Sequence, residues 1–147
     1  MTSRPAGEHA AAQQPRADSL RLIGADALSA ATAQTSGMIR TAAISGELTG
    51  ATALWMGRTV LPPAVSSGDH HHGESETGIF VAAGHPVFVY RDPVSEQIVR
   101  LETSPGDFVW VPPYAPHREE NPSADTDAVV VIARSTQEAI VVNLPGL

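Results

Sequence analysis

The side chains best suited to chemistry lie in two stretches, Ser66–Gly84 (SSGDHHHGESETGIFVAAG) and Ser104–Asn121 (SPGDFVWVPPYAPHREEN). Five of the six histidines fall between residues 70 and 117, so the question is whether they converge. Side chains at i and i+2 of a strand share a face, which points His70 and His72 together and turns His71 away. Two adjacent neutral imidazoles are half of a metal site. In the second stretch a Pro-Gly-Asp turn, the apolar run FVWV and the rigid bend PPYAP lead into His117. Glu119, two residues on, belongs to the same strand face as His117, and Glu120 to the opposite one. The alternative is that these histidines only hydrogen-bond in an interior, which would leave several buried nitrogens to satisfy.

Composition removes most other chemistry. The chain has no cysteine, which excludes disulfides, thiolate nucleophiles and thiolate metal sites. All nine basic residues are arginine, so Schiff-base, PLP and P-loop lysine chemistry are absent too. A formal charge of −7 with scattered arginines argues against nucleic acid or an anionic membrane as partner. With no long apolar window and no signal-like N-terminus, the expected location is cytoplasmic.

The elements that must position the histidines are short. From Gly37 onward the chain reads as short apolar runs cut by Gly, Pro and Asp: MIRTAAI, ALWMGRTVL, TGIFVAA, PVFVYR, QIVRLE, DFVWVP, AVVVIAR and AIVVNL. This texture predicts an all-β antiparallel sandwich or small barrel. Residues 1–18 read as a flexible tail that includes His9, residues 19–53 as an N-terminal arm with the first strands, and 54–147 as the barrel. Leu20, Ile23, Ala27 and Leu28 fall near helical spacing and predict one short helix within 19–33. FVWV and AVVVIA are apolar on both faces, which predicts a homodimer that covers an outer sheet face.

PPAVSSGDHHHGESETGIFVAAG followed by SPGDFVWVPPYAPHREEN resembles the two motifs of the cupin superfamily, single-domain double-sheet jelly-roll β-barrels. The resemblance covers roughly residues 54–144. It implies one divalent ion held by His70, His72, His117 and a glutamate. Counting forward from His72 assigns that glutamate to Glu76, whereas counting back from Gly84 gives Thr77, and period-two alternation cannot send both inward. A bulge would turn Glu76 to the metal; without one, water or a fourth imidazole, His71, completes the site. His85, far along the strand, is read as structural or exposed. Zinc is the favoured ion, with iron, nickel, copper and manganese open.

SGMIRTAAISGELTGATALWMGRTVLPP, HHHGESETGIF, PPYAPHREENP and VVVIARSTQEAIVVNLP are similar to the single-domain cupin cyclases of bacterial aromatic polyketide and antibiotic pathways. That resemblance implies a metal-dependent aldol-type ring closure of a poly-β-ketone intermediate, free or bound to an acyl carrier protein. Glu119 and Glu76 are the candidate bases; for Glu119 the bland role is an exposed partner of Arg118 or Arg58. Arg58, Phe108, Trp110 and Tyr114 are candidates for the substrate cavity, as are Trp55, Met56, Phe80 and Phe88, each of which also serves as plain core. The competing functions are a cupin oxygenase acting on a polyketide or phenol, and a non-catalytic accessory protein of a polyketide synthase.

Overall fold

The computed structural model describes residues 19–147; the tail expected over residues 1–18, with His9, lies outside them. In chain order the elements are β1 (Ile39–Ile44), α1 (Gly46–Thr49), β2 (Trp55–Leu61), β3 (His70–His71), β4 (Thr77–Ala83), β5 (Val87–Arg91), β6 (Ile98–Glu102), β7 (Phe108–Val111), β8 (His117–Glu120), β9 (Ala128–Arg134) and β10 (Val142–Asn143). They form two five-stranded sheets, β1-β2-β9-β4-β7 and β10-β3-β8-β5-β6, and every strand pairing is antiparallel.

This order follows from one long ribbon doubled back on itself. The β5–β6 hairpin turns at Asp92–Gln97, where the Asp92 carboxylate accepts the Val94 and Ser95 amides. Outward from that turn the chain pairs β4 with β7, β3 with β8 and β2 with β9. Rolled up, the nested pairs fall alternately into the two sheets, which is the jelly roll. The topology therefore sets the first histidine stretch against the second: His70 and His117 are direct cross-strand partners.

Period-two alternation builds the core between the sheets. Trp55, Ile79, Val81, Val111, Val130 and Ile132 from the first sheet pack with Phe88 from the second in one buried cluster. Gly57 makes room for Trp55, since a Cβ there would lie 2.5 Å from the indole ring. The outer faces differ. That of the β3-β8-β5-β6 sheet carries ion pairs, Arg100–Glu120 at 2.8 Å and Arg118–Asp69 at 3.4 Å. That of the other sheet is apolar, with Phe108 78% and Trp110 64% exposed and Phe80, Met56, Val60, Val129 and Val131 half-buried.

The helix expected within 19–33 does not form. Those residues run as an irregular arm joined to β1 by the Ser29–Ala42 bridge, and Leu20 and Leu22 are fully exposed. An apolar spacing without a face to bury it against cannot overcome the cost of helix nucleation. The helix is instead α1, capped by Ser45, whose hydroxyl accepts the Leu48 amide, and closed by Gly50 at φ 75°. Among the described residues no helix is long and apolar enough to cross a membrane.

Candidate metal centre

His70, His72 and His117 converge in the interior, all buried, with one ligand nitrogen from each within 4.8 Å of the others. Each ring is oriented by its own backbone. His70 Nδ1 lies 2.8 Å from the Gly68 carbonyl, His72 Nδ1 2.9 Å from that of Ile140, and His117 Nδ1 2.9 Å from that of Ala115. A carbonyl can only accept, so in the neutral ring each Nδ1 carries the proton and each Nε2 keeps its lone pair. The Nε2 atoms of His70 and His117 are buried without any hydrogen-bond partner. Buried imidazole lone pairs aimed at one point fit a divalent ion, and leaving them unmet would be unfavourable.

The loops that present these rings are tied together. Gly73, at φ 56°, turns the chain after His72, and its carbonyl accepts the Tyr114 amide at 2.8 Å from the proline bend before His117. Asn121 closes the far end of the second stretch by donating to the Leu61, Pro62 and Thr126 carbonyls.

Glu119 is buried beside the imidazoles, with one carboxylate oxygen 3.7 Å from His70 Nε2 and the other 3.6 Å from His117 Nε2. It is the buried carboxylate that faces two of the imidazoles, not an exposed partner of Arg118 or Arg58. Burial works to raise its pKa, but His117 beside it, then His70 and His72, hold it well below the usual carboxylate range. Burial, followed by the charges of Arg134 and His117, pushes His72 down to about 2, and burial lowers His70 against the pull of Glu119. For His117 burial also acts downward, yet the facing Glu119 carboxylate outweighs it and the imidazole is raised.

Two expected ligands lie elsewhere. Glu76 is exposed and its carboxylate accepts the Trp110 indole N–H at 2.8 Å, so neither the ligand nor the base role fits its position. No bulge intervenes there: Thr77 takes the inward place, in register with Val111 and Arg134. His71 faces away, its Nδ1 accepting the Gly73 amide at 2.9 Å and its ring 5.9 Å from Tyr114. His85 is exposed, its Nδ1 3.2 Å from the Thr103 carbonyl.

A cleft of about 470 Å³ opens between the β6 edge of one sheet and the β7 edge of the other and reaches His117. Phe88, Tyr90, Leu101, Val109, Val111 and Ala115 line it, and Trp110 and Tyr114 stand at its wall. Its size and apolar lining suit a small organic ligand. Arg58 and Phe108 do not line it. Strand alternation sends Val109 and Val111 inward on β7, leaving Phe108 against Phe80 on the outer face, with Arg58 exposed on that face of β2. Met56 and Phe80 also lie outside, whereas Trp55 faces the interior.

Two buried charges near the imidazoles carry no signal in the histidine stretches. Arg40 and Arg134 are buried on the inner face of the first sheet, opposite the imidazoles. The signal was the alternation of AVVVIAR, which puts Arg134 on the same face as Ala128, Val130 and Ile132. Burial, then Arg40, lowers Arg134 to about 9, which leaves it charged at neutral pH.

Residues 57–133 match the family model described as a cupin domain, and the chain belongs to that family. Among solved structures it is similar to the polyketide cyclase RemF from Streptomyces resistomycificus, at 17% identity, TM-score 0.65 and 86% of each chain. It is also similar to an oxalate oxidase in complex with glycolate, at 18% identity and TM-score 0.65 over 78% of this chain and 60% of that one. A third is Peruvianin-I from Thevetia peruviana latex, at 18% identity and TM-score 0.66 over 76% of this chain and 69% of that one. At these identities the likeness is one of fold. A search of curated protein sequences finds no match.

Proposed function

We propose that this cupin is a metal-dependent cyclase that closes a ring in a poly-β-ketone intermediate of aromatic polyketide biosynthesis by an aldol-type step. The observation that carries the reading is the three-imidazole cluster, one member of which, His117, lines an apolar cleft, so that a metal and a mould stand side by side. The likeness to RemF over the length of both chains supports it. His70, His72 and His117 would hold one divalent ion, zinc favoured, which supplies Lewis-acid charge to the carbonyl oxygens of the substrate.

The chain's own residues do the rest. The cleft walls fold the polyketone so that an acidic methylene approaches a distant carbonyl, and they exclude water. Glu119, held ionised, accepts the methylene proton at a carboxylate oxygen. The carbanion forms the new C–C bond, and the alkoxide produced at the attacked carbonyl takes that proton back. The substrate arrives free or on an acyl carrier protein in the cytoplasm. A second copy of this chain covers the apolar outer face that bears Phe108 and Trp110.

The test is conversion of a poly-β-ketone substrate by zinc-loaded protein under argon. Ring closure without oxygen supports the reading. Product formed only with oxygen uptake would instead support a cupin oxygenase, the rival that the nitrogen-rich donor set also suits. An unchanged product profile from folded His117→Ala would favour an accessory role.

A further inference from the structure

The interior holds more positive charge than the metal centre accounts for. Arg134, at the inward end of β9, is 1% exposed, and none of its three guanidinium nitrogens has a hydrogen-bond partner. Its guanidinium carbon stands 5.0 Å from the centre of the Trp55 ring. Arg40 is buried on the same inner face. Its Nη1 donates to the Ala33 carbonyl at 2.6 Å and its Nη2 to the Thr35 hydroxyl at 3.2 Å, while its Nε has no partner. Thr77, in register with Arg134, and Thr59, in register with Arg40, have buried hydroxyls that are likewise unpartnered. Among the described residues Glu119 is the one buried carboxylate, and it contacts imidazoles, with no ion pair to either arginine.

A buried guanidinium with its whole donor fork unmet is strongly unfavourable unless something brings opposite charge to it. A divalent ion on the imidazoles increases the excess. The matching ligand is a planar, delocalised oxyanion, because the fork donates two parallel hydrogen bonds to such a group. We infer that Arg134, backed by Arg40 and the Thr77 hydroxyl, is an anion-binding site for a carboxylate or a 1,3-dicarbonyl enolate of the substrate, across the interior from the imidazoles. This deepens the proposed function by giving the substrate a negative charge at a stated place, and it explains why a core otherwise built of Val, Ile and Trp keeps two arginines.

The experiment is calorimetric titration of malonate, acetylacetone and the neutral control malonamide into metal-free and zinc-loaded protein, for the wild type, Arg134→Gln and Arg134→Lys. Metal content is measured alongside. The expected result is one equivalent of malonate or acetylacetone bound by the metal-free wild type, no malonamide, and at least a fivefold weaker affinity in Arg134→Gln with zinc stoichiometry unchanged. Which probe binds separates carboxylate from enolate. A wild type that binds neither, or an Arg134→Gln loss smaller than fivefold, overturns the inference and leaves Arg134 as a support for Trp55. Should Arg134→Gln fail to fold, the Arg134 Nε–H resonance of the wild type must shift on adding the binding probe; an unmoved signal overturns the site. Failure of ring closure with probe binding intact counts against the proposed reaction alone.

Discussion

At the scale of the residue, three imidazoles with Nδ1 tied to carbonyls turn Nε2 to one another; burial keeps His70 and His72 neutral, and His117, raised by Glu119, gives up its added proton when an ion binds. Replacing His72 or His117 by Ala is expected to reduce bound zinc from one equivalent to below a fifth and to lower ring-closing activity by about 100-fold or more, as read by elemental analysis and product assay. Glu76→Gln, on the exterior, should leave zinc content unchanged and shift stability by less than about 0.5 kcal/mol; a loss of metal there would sink the assignment of Glu119. Proton linkage gives a further expectation for the metal-free protein. His72 is neutral in the fold down to about 2 but titrates near its ordinary value when unfolded, so its contribution is present above about pH 6.5 and lost as pH falls. At pH 5 that loss is on the order of 2 kcal/mol. His70 and Glu119 act in the same direction; His117, raised in the fold, opposes them, its stabilisation present below its unfolded value and lost as pH rises past its folded one. Denaturant midpoints should therefore fall between pH 7 and 5, and His72→Asn should flatten that slope.

At the scale of the element, strand alternation decides which expectations hold. The apolar runs were legible because each is short, β-rich and bounded by turn residues, and seven of the eight became strands of four residues or more. AIVVNL supplied only β10, two residues long. Alternation also makes the Glu76 and Thr77 choice binary, and the pairing of β4 with β7 and β9 settles it for Thr77. On β2 the close fit of Trp55 over Gly57 is a sensitive point. Gly57→Ala should cost about 1–3 kcal/mol through overpacking, seen as a drop in Tm of several degrees. A neutral substitution would mean that the indole has room that the contact denies it.

At the scale of the whole molecule, the two outer faces differ in kind: one is laced with ion pairs, and the other presents Phe108 and Trp110 to the outside. Sedimentation velocity is expected to find a dimer at micromolar concentration, and Phe108→Glu combined with Trp110→Glu to give monomers that still bind zinc. A wild-type monomer would leave that face without the proposed partner.

The sequence by itself determined the strands, the inward pairing of His70 with His72 and of His117 with Glu119, and the absence of thiol and amine chemistry, because these depend on residue type and a two-residue period. Only the tertiary structure decided that His70 lies opposite His117, that Glu119 rather than Glu76 faces them, and that Arg40 and Arg134 are buried near them. Those facts come from nesting a ribbon into two sheets. Local pattern says which way a side chain points; only the register between distant strands says what it meets.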